Sequence, residues 1–182
     1  MGIRFINRQN WMSLFGKFPV YQVELIQDMQ DLLPCSGVYN RERICHFLGQ
    51  LAHETGGFQW LEELTSGEQY NNRPDLGNTQ PNDGQRFKGR GFIQLTGRYN
   101  YRRYGQLLDL PLETNPELAL KPRVALKIAL LYWNFNDLNY WADKGDLEKI
   151  TRLINGGLTG LQDRWSWLNK IMTLYDRWNN TR

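Results

Sequence analysis

The sequence is poor in the features that mark several common classes of protein. Two cysteines, Cys35 and Cys45, are too few for a disulfide scaffold. Free thiols are the default expectation, with a Cys35–Cys45 bridge as the alternative. No run approaches the roughly 18 apolar residues of a membrane span, so membrane insertion is not expected. Met1 to Val20 carries Arg4, Arg8 and Lys17 and lacks the apolar segment of a secretory signal. Ile6 stands where an N-myristoylation pattern requires Ser or Thr. A chain made in the cytoplasm is the expectation. Charge of one sign is scarce as well. The net charge is +3, without the dense basic stripe of a nucleic-acid binder, so no nucleic-acid partner is expected. It permits an anionic partner such as a cell-wall polymer without requiring one. Histidines number two, His46 and His53. Seven positions apart on one helix, they would lie about 10 Å apart along its axis, whereas one zinc ion needs ring nitrogens within roughly 2.1 Å. His53-Glu54 is followed by Thr55, Gly56 and Gly57 rather than by the rest of an HExxH pattern. No metal and no cofactor are expected, and His53 is expected to make a structural hydrogen bond.

What is present is apolar periodicity. With 182 residues, 41% hydrophobic, the chain can bury a core as one domain or two small lobes. The 13% aromatic content serves a core and also suits the binding of sugar rings. Helices are expected over 8–16 and over 20–33, the latter with Tyr21, Leu25, Met29 and Leu32 in period and Pro34 as its stop. Residues 59–65 read as a short helix or turn. Residues 66–91, rich in Gly, Pro, Asn and Asp, read as a long loop, which in a compact domain is often functional. Alternation in Gly91 to Thr96 predicts an extended segment with Ile93 and Leu95 on one side and Gln94 and Thr96 on the other. A helix to about Leu108 follows. Pro122 opens a helix that is apolar nearly all round, with Lys127 as the charge in its run. Asp146 caps another, which stops at Asn155-Gly156-Gly157. The last helix, about 160–178, shows Leu161, Trp165, Leu168, Met172 and Tyr175 as a core stripe. The fold class is mainly α with a small β or loop lobe.

The chain is organised around 40–58. Ile44, Phe47, Leu48 and Leu51 repeat at the spacing of one helix face, Asn40 can cap the start, and Gly56-Gly57 can end it. Glu54 continues the apolar stripe. Burial and the negative end of the helix dipole would both disfavour its charge, as a general acid requires. The plainer alternative is a Glu in a frayed, solvated turn. Glu63 lies nine positions on, across the Gly-Gly break. Two carboxylates in unlike surroundings are the minimum for glycoside hydrolysis, one as acid and one as base. Glu62 and Glu68 crowd this signal. Lys88 and Arg90 are expected to order the loop or pair with a carboxylate, and an Arg beside Glu63 would keep that base ionised.

Three segments then match a family. LAHETGGF (51–58), RFKGRGFIQLTGRYNY (86–101) and INGGLTGLQDR (154–164) resemble glycoside hydrolase family 19, the plant-type chitinases and related bacterial and phage cell-wall lysins. The resemblance extends through LEEL and DLGNTQPNDG. It implies a lysozyme-like, two-lobed helical fold with a central cleft. It covers roughly 40–170 and implies inverting hydrolysis of β-1,4 bonds next to N-acetylated sugars without a metal. One catalytic domain over 1–182 is expected, and the chain departs from the family pattern in having no attached carbohydrate-binding module. Carried over by position, it implies Glu54 as general acid, Glu63 as general base and Thr96 as a holder of the attacking water. It places Gln94, Tyr99, Asn100 and Asn155 along the sugar subsites, and Lys127 and Arg164 as basic cleft residues. Inversion requires carboxylates about 6.5–9.5 Å apart, to leave room for the water. The chain lacks the many cysteines of plant chitinases. The expected partner is a polysaccharide. Peptidoglycan, reached after holin-type release or lysis, is the first expectation and chitin the alternative. A non-catalytic sugar-binding protein on the same scaffold is the alternative of another class. A monomer is expected.

Overall fold

The computed structural model describes residues 2–16 and 21–181. Among these, the α-helices are α1 (Arg8–Phe15), α2 (Tyr21–Cys35), α3 (Arg41–Glu54), α4 (Asp83–Arg86), α5 (Arg98–Leu108), α6 (Pro122–Phe135), α7 (Leu138–Asp143), α8 (Leu147–Asn155) and α9 (Leu161–Asn180). Lys17, Val20 and the side chain of Tyr21, which entered the sequence expectations, lie outside the described residues. The chain divides into two units. One is Met1–Phe58 with Leu130–Arg182, the other Gln59–Ala129.

The first unit is built on α3 against α9. Asn40 caps α3 as expected, its side-chain oxygen accepting from the Arg43 N–H at 2.9 Å. Ile44, Phe47, Leu48 and Leu51 are at most 1% exposed, and each such burial contributes roughly 1.5–3 kcal/mol. Close approach of the two helices is set by Gly49, where an added Cβ would stand 3.4 Å from the backbone nitrogen of Leu168. The rings of Trp11 and Phe58 pack tilted at 4.7 Å and those of Phe5 and Tyr175 at 4.9 Å, extending the core to α1. The α9 stripe read from the sequence is rotated by about one residue. The buried set is Arg164, Leu168, Ile171 and Tyr175, whereas Trp165 is 54% exposed. Helix α2 runs one residue beyond Pro34, because the turn after it closes through Val38 N–H to the Leu33 carbonyl (2.9 Å). Helix α7 was not legible, being too short to show a period. Asp146 caps α8 through the Lys149 N–H at 2.8 Å, and Gly156, at φ +78°, ends it. Cys35 and Cys45 are unbridged, one exposed and one buried, and burial pushes the Cys45 thiol up to about 12.

The second unit is held by arginine clamps as much as by its apolar residues. Arg90, 4% exposed, donates to Glu62 (3.1 Å), Glu117 (3.0 Å), the Arg86 carbonyl (2.9 Å) and the Tyr101 hydroxyl (3.2 Å). Arg98 joins buried Asp83 to Glu113 (3.1 Å) and Gln80 (3.0 Å). Together with Arg102, which is the larger influence, Arg98 holds the Glu113 carboxyl down at about 2. Residues 66–91 are accordingly a built structure, with 3-10 turns at Glu68–Tyr70 and Pro74–Leu76 followed by α4. Residues 59–65 form turns without a helix. The expected extended segment at 91–96 is not a strand, and among the described residues β-pairing is confined to isolated bridges, Glu62–Arg90 and Arg90–Leu95 here and Arg73–Asn78. Gly91 (φ +79°) and Gln94 (φ +51°) adopt left-handed backbone, which breaks the two-residue period. Reciprocal bonds between Arg90 and Leu95 (3.2 and 2.8 Å) close the loop. No described helix is long and apolar enough to cross a membrane.

Candidate active site

The first unit presents Glu54 at the close of α3. Its position is fixed by the way the helix stops. Thr55 N–H bonds the Leu51 carbonyl (3.1 Å) and Gly57 N–H the Ala52 carbonyl (2.7 Å), with Gly56 and Gly57 both at positive φ. The Thr55 hydroxyl donates to Leu51 (2.6 Å) and accepts from the Phe58 N–H (2.9 Å). This is an ordered stop rather than a frayed turn. Glu54 Oε1 accepts from the Arg164 guanidinium, which also donates to Gln50 Oε1. Arg164 is 1% exposed and the Glu54 side chain 18%. The sequence expectation set Glu54 against burial and the helix end alone, and the structure adds Arg164 as its direct partner. Oε2 has no partner among the described residues. The Tyr132 hydroxyl ties α6 to α8 through the Leu153 carbonyl (2.5 Å). Burial first, and then the Glu54 charge, raise its pKa and keep it a donor. His53 makes its expected structural bond, to Asp163 at 2.6 Å. Its ring lies so close to Gly160 that a Cβ there would be 2.3 Å away. Asn155 is exposed at the end of α8.

The second unit presents Glu63, whose carboxylate is held by uncharged donors. Oε1 accepts from Thr65 (2.7 Å), Gln69 (3.0 Å) and Tyr70 (3.0 Å), and Oε2 from the Gly89 N–H (3.1 Å). Arg90 pairs with carboxylates as expected, though not with Glu63. Arg90 clamps Glu62 and Glu117 instead, and the Lys88 ammonium meets Glu62 at 3.4 Å and the Glu63 carbonyl at 3.2 Å. Gln94 and Thr96 converge on Glu63 at Gly89. A Cβ at that glycine would stand 2.7 Å from Gln94 Oε1, 3.2 Å from Glu63 Oε2 and 3.4 Å from Thr96 Oγ1. The Thr96 hydroxyl donates to the Gln94 carbonyl (2.8 Å) and Asn100 braces the Thr96 carbonyl (2.8 Å). Tyr99 is 57% exposed, with its Cβ against Gly77. Lys127 is half-buried in α6, and its ammonium makes no hydrogen bond or ion pair among the described residues.

Comparison with known proteins matches the chain to a family. The family model described as chitinase class I, of glycoside hydrolase family 19, covers residues 36–142. A glycosyl hydrolase family 19 domain-containing protein of Haemophilus influenzae is 30% identical over 168 residues, spanning 75% of this chain and 82% of that protein. The chain belongs to glycoside hydrolase family 19. Endochitinase At2g43620 of Arabidopsis thaliana is 37% identical over 154 residues, 84% of this chain and 48% of that protein, so the chain spans about half the length of that plant relative. Chitinase C from Streptomyces griseus shares the fold, with a TM-score of 0.78 at 23% identity over 94% of this chain and 76% of that one. Family membership makes this chain a glycoside hydrolase and a polysaccharide its substrate.

Within this family-19 chain, Glu54 and Arg164 come together in one unit, and Glu63, Gln94, Thr96 and Asn100 in the other. Sequence reasoning missed Gln50, Thr65, Gln69, Tyr70 and Gly89. Gln50 was legible in principle, four residues before Glu54 on the same helix face. Thr65, Gln69 and Tyr70 lie in turns without a period to read. Gly89 gives a direct test of the convergence. Its φ is not in the left-handed region, so Gly89→Ala imposes no backbone strain and acts only on the three side chains it would touch. Turnover should fall roughly tenfold to a hundredfold, the scale of misplacing a reacting group by about 1 Å, with little change in melting temperature. Wild-type turnover in that variant would show that the three side chains do not act together.

Proposed function

We propose that the chain hydrolyses β-1,4 bonds of an N-acetylhexosamine polymer with inversion, and that the polymer is peptidoglycan. The observation that carries the mechanism is the unequal loading of the Glu63 carboxylate. A carboxylate offers about four lone-pair sites. Oε1 takes three neutral donors, while Oε2 takes only the Gly89 N–H and keeps capacity on the side where Thr96 lies. The Thr96 hydroxyl already donates to Gln94, so toward a water it is an acceptor. A water giving one O–H to Glu63 and the other to Thr96 points a lone pair outward, as the attacking water of an inverting glycosidase must. Glu63 takes up the proton that this water loses. Glu54 supplies the other proton. Arg164 occupies Oε1, and Oε2 carries the hydrogen delivered to the leaving glycosidic oxygen. Gln94, Tyr99, Asn100, Asn155 and Lys127 contact the sugars.

The choice of polymer rests on charge. A net charge of +3 favours approach to an anionic wall polymer and does nothing for neutral chitin. Mass spectrometry of the fragments released from purified peptidoglycan and from chitin oligomers tests both parts. Muropeptides cut at a β-1,4 bond are expected, and proton NMR of the nascent reducing ends, taken before mutarotation, should show inverted configuration. Cleavage of chitin alone would replace the substrate, and release from neither polymer between pH 4 and 8 would leave a binding protein on the same scaffold.

A further inference from the structure

A concave site lies in the first unit, away from Glu54. It is a pocket of about 620 Å³ between the turn that leads into α8 and the first turns of α9. Lys144, Asp146, Glu148, Leu161, Gln162 and Trp165 line it, and none of Glu54, Tyr132, Asn155 or Arg164 does. Its size is within the range of ligand pockets, about 300–1,000 Å³. Trp165 is the unexpected member. The periodicity of α9 allots it to the core, yet it is 54% exposed. Arg164, the next residue on the helix, takes the buried face, so one turn of α9 serves Glu54 on one side and this pocket on the other.

We propose that this pocket is a second saccharide-binding site, for the sugar faces of a β-1,4-linked N-acetylhexosamine backbone. An all-equatorial hexose has two apolar C–H faces and a rim of hydroxyl and amide groups. The pocket has the complementary pattern. The Trp165 ring, with Leu161, supplies an apolar wall. Gln162, Glu148 and Lys144, all exposed, supply acceptors and donors for the rim. Asp146 has one oxygen committed to capping α8, which fixes its carboxylate in place. Charge argues against the competing ligand classes. Two carboxylates against one ammonium disfavour a phosphate, a nucleic acid or an acidic peptide. A polymer held here stays with the enzyme between cuts. The inference rests on the proposed function only in the choice of an aminosugar polymer as ligand.

Trp165→Ala and Glu148→Ala in the full chain test it, each measured for the fraction bound to colloidal chitin in the cold and for the rate on a short soluble oligosaccharide. Because both residues are exposed, the fold should be retained. Trp165→Ala should lower binding to the insoluble polymer roughly fivefold to tenfold, the scale of one aromatic contact, and Glu148→Ala should lower it less. The soluble rate should stay within about twofold of wild type. Unchanged binding in Trp165→Ala would overturn the site. Equal losses on soluble and insoluble substrate would also overturn it, because the effect would then run through Arg164 next door. A wild-type chain that binds the polymer in a Trp165-dependent way but cuts nothing would sink the catalytic reading and leave this site standing.

Discussion

Glu54→Gln should reduce turnover at least about a thousandfold, within the range that general acid–base catalysis contributes. The amide keeps the shape of the carboxylate, and its carbonyl still accepts from Arg164. What it cannot do is release a proton to the leaving oxygen. The fold is retained, but not without cost. Arg164 is 1% exposed, and Glu54 Oε1 is one of its two acceptors. Exchanging that oxygen for an amide carbonyl weakens the bond by about 1 kcal/mol, and the melting temperature should drop by roughly 2–4 °C. Rates measured at 25 °C, with circular dichroism to show the variant folded, separate the two effects. Wild-type turnover would remove Glu54 from the chemistry. The acidic neighbours provide the internal control. Glu63→Gln loses the base and also meets a donor conflict. Donors converge on both oxygens of Glu63, so either orientation of the amide sets an NH2 against another donor. Glu62 instead pairs with Arg90 and Lys88, and Glu62→Gln should cost stability with turnover kept within about tenfold, below the range for an acid–base residue. Should Glu62→Gln prove the worse of the two, the base has been misassigned.

What the sequence disclosed follows the kind of force at work. Helix α3 was legible because its cap, its apolar period and its glycine stop agree, and that agreement places Glu54 to the residue. The register of α9 was misread because Trp165 was counted as apolar, while a Trp is often only partly buried. Periodicity also gives no reason to set an arginine in a buried stripe. Arg164 is there because Glu54 and Gln50 meet it from α3, a tertiary fact. The second unit was least legible. Its path is set by Arg90 and Arg98 reaching carboxylates far away in sequence, and the alternation in GFIQLT carried no hint that Gln94 takes a left-handed backbone. The donors around Glu63 could not be assembled from turns whose course those clamps decide. The family resemblance named Thr96 and Gln94 as site residues. Only the close approach at Gly89 explains why they stand beside Glu63.

His46 should make the protein acid-labile in a window that the carboxylates do not share. The residue lies in the middle of α3, 1% exposed, and neither ring nitrogen has a hydrogen-bond partner among the described residues. Burial disfavours the imidazolium and lowers its pKa to about 4 from the ordinary 6.5, with the charge of Asp146 opposing that shift only in part. Between those two values the unfolded chain binds a proton that the folded chain does not. Stability therefore rises with pH across the window. It is fully present above pH 6.5 and is lost as pH falls toward 4, by about 3 kcal/mol in total. The arginine-paired carboxyls, Asp83, Glu113, Asp143 and Asp176, are held below their ordinary values. Their contributions are present above the unfolded carboxyl pKa near 4 and are lost only below it. Urea denaturation of the wild type and of His46→Leu, from pH 4 to 7, isolates the histidine. Leucine is close in volume, needs no partner and does not titrate, so the midpoint of the variant should stay nearly flat where that of the wild type slopes. Equal slopes in the two proteins would mean that the ring takes up its proton in the folded state as readily as in the unfolded one, and that both N–H groups of the imidazolium have found acceptors.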